Sequence, residues 1–154
     1  MTNELKQEVL SEYDEKVIAL AQHLGIEVMN EYGEKVVPIN EANLEELTEE
    51  AAEDLRNELD SIVETFPNNF RYSNEEYLVL TDEEADEEED RQLDSYLREC
   101  VYPEIPEHLE VYFDDEAWKR DAKIDGRGHN ISTYDGCEYE ETIEGTTYYI
   151  YRIN

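Results

Sequence analysis

Eight of the nine residues at positions 82–90, within TDEEADEEED, are acidic. No hydrophobic core can hold such a run, so any fold this chain adopts must carry it on the surface. On a helix it would place one charge about every 1.7 Å of axis, close to the charge density of duplex DNA. The rest of the chain compounds the demand: 43 Asp and Glu face 12 Lys and Arg, a formal net charge of -31 at pH 7. Charge of that size opposes a compact state through self-repulsion and disfavours direct binding to nucleic acid or an anionic membrane. Intrinsic disorder is the simplest reading of such acidity. Against it, 39% of the residues are hydrophobic, twelve are Tyr, and the apolar positions recur at regular spacings.

Those spacings predict an α+β fold of three to four amphipathic helices with short β-hairpins, among them a C-terminal antiparallel hairpin. Leu5, Val9, Leu10, Tyr13, Val17, Leu20, Ala21 and Leu24 predict a first helix over 3–24, stopped by Gly25. Short strands at 26–29 and 36–39 flank Glu31-Tyr32-Gly33. Leu44, Leu47, Ala51, Leu55, Leu59, Ile62 and Phe66 give a second helix over 43–66 with one buried stripe. Strands at 69–72 and 76–81 flank a Ser73-Asn74 turn. Thr81 with Glu84 forms a capping box opening a third helix that runs to about 101. Pro103 and Pro106 break the chain, Asp114 caps a short helix over 115–124, and Gly126 with Gly128 ends it. Strands at 138–143 and 146–153 meet at Glu144-Gly145. With 154 residues, the chain divides into a helical region, 1–66, and an α+β region, 67–154, or forms one compact domain.

Set at 100° intervals on the second helix, Glu46, Glu49, Glu50, Glu53, Asp60 and Glu64 form a carboxylate row opposite the apolar stripe. Ten acids between 41 and 64 over roughly 36 Å of helix approximate the ~3.4 Å phosphate spacing of a DNA strand. The second candidate row is Asp82, Glu83, Glu84, Asp86, Glu87, Glu88, Glu89 and Asp90. A solvated helix face and the attraction of acids to a helix N-terminus explain part of this, Asp82 to Glu84 in particular. They leave unexplained why like charges are kept at i,i+4, as in Glu46 with Glu50 and Glu49 with Glu53. Carboxylates at such spacing suit a basic groove built to release counterions on contacting phosphates.

Sequence signatures of catalysis are missing. His23, His108 and His129 have no metal-ligand spacing, and His23 is expected on a helix surface. No calcium-loop, phosphate-loop, dinucleotide or nucleophile-elbow pattern occurs, so no enzyme, metal or cofactor is expected. Cys100 and Cys137 lie far apart and read as reduced thiols; with no signal-peptide pattern and no apolar run of membrane-spanning length, a cytoplasmic protein is expected. The basic stretch at 119–129, KRDAKIDGRGH, can pair internally with the acidic helices, form a second contact surface, or orient the acidic face at a homodimer interface.

Residues 112–128, YFDDEAWKRDAKIDGRG, and the ending YYIYRIN resemble the C-terminal motif of the ArdA antirestriction family. Tyr112, Phe113, Asp114, Glu116, Ala117, Trp118, Arg120, Asp121 and Gly126 carry the likeness. Asp115 and the basic Lys119, Lys123 and Arg127 depart from it, and residues 1–65 do not resemble the family's N-terminal domain. The segment EEYLVLTDEEADE is similar to one in phage and prophage proteins. The resemblance implies a DNA mimic from a phage or mobile element that inhibits host restriction. The same electrostatics would serve in the DNA-binding grooves of a CRISPR effector, so a stoichiometric inhibitor of a basic, nucleic-acid-binding complex of the host, a restriction enzyme or a CRISPR effector, is expected. The alternative expectation is an acidic phage adaptor or assembly protein that binds its partner through the aromatic C-terminal hairpin.

Overall fold

The computed structural model describes residues 4–40, 43 and 45–154; the expected helical positions Glu41 and Leu44 lie outside them. The fold is α+β, built on a five-stranded antiparallel sheet in the order β3-β4-β5-β7-β6, with β3 Val63–Phe66, β4 Asn69–Tyr72, β5 Glu75–Leu80, β6 Tyr139–Ile143 and β7 Thr146–Arg152. At its centre β5 pairs with β7, Val79 opposite Ile150 and Leu80 opposite Tyr149. Alternation along these two strands gives the sheet two apolar faces. Tyr77, Val79, Tyr148 and Ile150 join one buried cluster, and Leu78, Leu80, Tyr149 and Tyr151 the other.

Helices cover both faces. On the first lie α1 Glu4–Ser11, α2 Glu15–Leu24 and α3 Glu49–Asp60, which contribute Val9, Ile18, Leu20, Leu55 and Leu59 to the larger cluster. That cluster runs in sequence from Val9 to Ile150, so one core joins the N-terminal helices to the C-terminal hairpin. A small hairpin, β1 Val28–Met29 with β2 Lys35–Val36, packs beside α3. The second face holds α4 Asp82–Tyr96 and the short α6 Arg127–Ile131, whose Ala85 and Ile131 sit on Leu80 and Tyr151. Outside these, α5 Asp115–Lys123 packs on α4 and α6, with Trp118 stacked on Tyr96 at 5.7 Å between ring centroids. Between α4 and α5 the chain forms a π-helical turn, Leu97–Val101, and 3₁₀ turns at Tyr102–Glu104 and Glu107–Tyr112.

Capping chemistry sets several boundaries, including two that differ from the expected ones. The Thr81–Glu84 capping box opens α4, and Asp114 caps α5 through the Ala117 amide. The single helix expected over 3–24 is instead two, because Asp14 leaves helical geometry and its carboxylate accepts the Lys16 amide at 2.8 Å as the N-cap of α2. Likewise α3 begins only after Thr48, whose hydroxyl caps Ala51, and ends at Asp60. The expected continuation of this helix to 66 is wrong: residues 63–66 form β3, turned back onto β4 through Pro67-Asn68 with Asn68 at φ 68°. Proline followed by a residue at positive φ is the signature of a type II turn. The Glu144-Gly145 turn has both residues at positive φ, as the tightest hairpins require. His23 is not on an open helix surface but packs between the rings of Tyr77 and Tyr139, where burial lowers its pKa.

Gly128 does not terminate a helix; it lies within α6, pressed against the segment leading into β6. A β-carbon there would stand 2.7 Å from the Cys137 carbonyl carbon and 2.7 Å from the Glu138 amide nitrogen, both rigid backbone atoms. Gly128→Ala is therefore expected to lower stability by roughly 1–3 kcal/mol as α6 is pushed off the sheet, read as a shifted midpoint in urea unfolding.

Candidate partner-binding surface

The two acidic helices differ in what their carboxylates meet. Along α4, Asp82, Asp86, Asp90 and Asp94 recur every four residues and share one side of the helix. Opposite them Lys119, Lys123 and Arg127 recur at the same interval in the reverse direction. Lys119 bridges Asp94 at 2.8 Å, Lys123 bridges Asp90 at 2.6 Å, and Arg127 reaches Asp82 at 2.8 Å and Asp86 at 3.1 Å. The basic stretch thus meshes internally with the acidic run. Arg127 also binds Glu138 at 2.9 Å and lies 4.5 Å over the Tyr149 ring. Burial opposes its charge, but the bonds to Glu138 and Asp82 prevail and hold its pKa above the usual arginine value.

Most other acids of the run are engaged too. Glu84 accepts from Lys16 at 2.8 Å and closes the capping box. Glu88 binds Arg91 and Gln92, and Glu89, only 4% exposed, accepts from Asn130 at 2.9 Å. Of the eight residues expected to face a partner from this run, Glu83 and Glu87 alone are exposed without a hydrogen-bond or ion-pair partner among the described residues.

On α3 the opposite holds. Glu49, Glu50, Glu53 and Asp54 are all exposed and form no ion pair among the described residues. Lys35 lines the same shallow hollow as Asp54, yet no bridge joins them. Residues 49–54 carry four charges over about 7.5 Å of axis, roughly one per 2 Å against one per ~1.7 Å for duplex DNA. Sequence reasoning missed Asp54, although its i+4 relation to Glu50 placed it on that side. The expected row is shorter than its sequence span. Glu46 is exposed in the irregular segment before α3, Asp60 accepts the Tyr13 hydroxyl at 2.8 Å, and Glu64 is on β3 accepting the Asn68 amide at 3.0 Å. Since α3 and α4 belong to opposite faces of the sheet, the two candidate rows do not merge into one ridge.

Tyrosine phenols serve as neutral donors where cations are too few. Tyr13, Tyr72, Tyr77, Tyr102, Tyr139, Tyr148 and Tyr151 each donate to a carboxylate, respectively Asp60, Glu58, Glu75, Asp115, Asp135, Glu15 and Glu138. At Tyr13, Tyr77, Tyr148 and Tyr151 burial and the neighbouring carboxylates disfavour phenolate and raise the pKa, that of Tyr13 to about 12. This pairing also turns the C-terminal hairpin inward, with Tyr148 and Tyr151 buried.

Neither a family model, nor a curated protein, nor a solved structure matches the chain. Among the described residues no helix is long and apolar enough to cross a membrane, and no group of three or more His, Cys, Asp or Glu is arranged to hold a metal. Cys100 and Cys137 are free and exposed.

Raised phenol pKa values link folding to alkaline pH. The neutral phenol is the bonded form, so its stabilisation is complete below the unfolded value near 10 and is lost as pH rises through the folded value, about 12 for Tyr13. Melting temperature is expected to fall between about pH 10 and 12, with the Tyr13 ring resonances moving to their phenolate positions at the same transition. Ionisation of Tyr13 near pH 10 in the folded protein would contradict its assigned bond to Asp60.

Proposed function

We propose that this protein is a stoichiometric, non-catalytic inhibitor that uses the α3 carboxylates Glu49, Glu50, Glu53 and Asp54, with Glu46 beside them, as a phosphate surrogate for a basic, nucleic-acid-binding protein complex. The observation that carries this reading is the contrast between the helices. Internal cations take up the stripe Asp82 to Asp94, while four α3 carboxylates remain exposed with mutual i,i+4 repulsion unrelieved. A cationic groove meeting them would relieve that repulsion and release its counterions, as it does on contacting DNA. The likeness of residues 112–128 to the antirestriction motif supports a restriction enzyme as the target, and the same electrostatics would serve against a CRISPR effector. The adaptor reading, through an aromatic C-terminal hairpin, has less to work with because Tyr148 and Tyr151 face the interior.

Reversal of Glu49, Glu50, Glu53 and Asp54 to Lys, with folding confirmed by circular dichroism, is the test. Competition against duplex DNA for a purified restriction complex and for a purified CRISPR effector should weaken by about tenfold or more, roughly 1.4 kcal/mol, for the true target. Its salt dependence should become shallower as well. Reversal of Glu83 and Glu87 should have the smaller effect. Equal competition by wild type and the α3 variant would reject the proposal.

A further inference from the structure

The segment between α4 and α5 is acidic and aromatic in a way the core does not require. Residues 102–117 contain six Asp and Glu and no Lys or Arg. This stretch borders a cavity of ≈ 270 Å³, partly open to solvent and lined by Tyr102, Ile105, Glu110, Phe113 and Asp115. That is below the roughly 300–1,000 Å³ of pockets that enclose whole small ligands, and is of a size for one long side chain. The rings of Tyr102 and Phe113 meet edge to face at 89° with centroids 6.0 Å apart. The Tyr102 hydroxyl donates to Asp115 Oδ2, which fixes one ring and leaves Oδ1 open to a further donor. Glu110 is exposed and its carboxylate has no partner among the described residues.

We propose that this cavity is a binding site for an arginine side chain of a partner protein. Aromatic faces attract a cation, and a guanidinium adds a flat surface that stacks on them. Its forked donors match two carboxylates better than the point charge of an ammonium does. The nearby cation Lys119 is committed to Asp94 at 2.8 Å and does not fill the site. Beside it, Leu109, Val111 and Tyr112 stand exposed, the last two at 83% and 79%, an apolar margin for the residues flanking an inserted arginine. A basic partner with apolar neighbours to its arginine fits both the charge and this margin. The site lies apart from α3 and does not depend on the phosphate-surrogate reading.

The experiment is a titration of the full chain with N-acetyl-arginine amide at low ionic strength, followed residue by residue by ¹H–¹⁵N NMR. Its neutral isostere N-acetyl-citrulline amide and N-acetyl-lysine amide serve as comparisons. Saturable shifts centred on residues 102–115, absent with the citrulline probe and weaker with the lysine probe, are expected. Glu110→Gln, which removes no contact of the fold, should weaken the arginine titration by about threefold or more, and Asp115→Asn further. Shifts spread evenly over Glu49, Glu53, Glu83 and the other exposed carboxylates, an equal response to citrulline, or no effect of Glu110→Gln would each overturn the assignment. Unaltered arginine binding in the α3 reversal variant would confirm that the two sites are separate, and loss of it there would overturn the placement of the site between α4 and α5.

Discussion

Repulsion among the carboxylates is the constraint to which the rest of this structure answers. With 43 acids and 12 Lys and Arg, direct ion pairing can reach only a minority, and every unpaired acid near the core would carry a desolvation cost. The fold meets this with two devices. It concentrates cations where acids are densest, so that Lys119, Lys123 and Arg127 mesh with Asp94, Asp90, Asp86 and Asp82. Elsewhere it sets tyrosine hydroxyls against carboxylates at element junctions, as with Tyr148 and Glu15 or Tyr151 and Glu138. A phenol donates a hydrogen bond while its ring remains in the apolar layer, a combination lysine cannot supply.

The sheet turns this arrangement into an asymmetry. Because β5 and β7 are central and apolar on both sides, α1 to α3 and α4 with α6 are held apart on opposite faces. Cations gather over the α4 face, and Glu49, Glu50, Glu53 and Asp54 of α3 form no ion pair among the described residues. The proposed phosphate surrogate accordingly rests on a short patch of the α3 layer. The densest acidic run in the sequence serves chiefly to hold α5 and α6 in place.

Local chemistry was the legible part of the fold. Thr81 with Glu84, Asp114 and Glu144-Gly145 each act through neighbours within a few residues, and each does in the structure what its pattern predicts. Asp14 and Thr48 carried the same kind of signal but lay inside longer apolar periodicities, which favoured continuous helices over the true breaks. Strand β3 was hidden because Ile62 and Phe66 continue the helical spacing of α3, while the Pro67-Asn68 turn that pairs Phe66 with Asn69 was the signal against it. For the candidate surface, the charges could be read, and so could internal pairing of the basic stretch 119–129 with the acidic helices, but not which residues meet. Arg127 is 45 residues from Asp82, and only the packing of α6 on α4 brings them together. The same holds for Lys16 and Glu84, 68 residues apart, and for the buried position of Glu89.

That the α4 stripe Asp82 to Asp94 is relieved by cations while the α3 carboxylates Glu49 to Asp54 are not is tested most directly by the salt dependence of thermal stability in two amide variants. One replaces Glu49, Glu50 and Glu53 with Gln and Asp54 with Asn; the other replaces Asp82, Asp86, Asp90 and Asp94 with Asn. From about 10 mM to about 150 mM sodium chloride the screening length falls from roughly 30 to 8 Å. The wild-type melting temperature should rise over that range. The α3 variant should melt higher than wild type at low salt with a flatter response, and the α4 variant should melt lower. Equal shifts in the same direction for both variants would contradict the account.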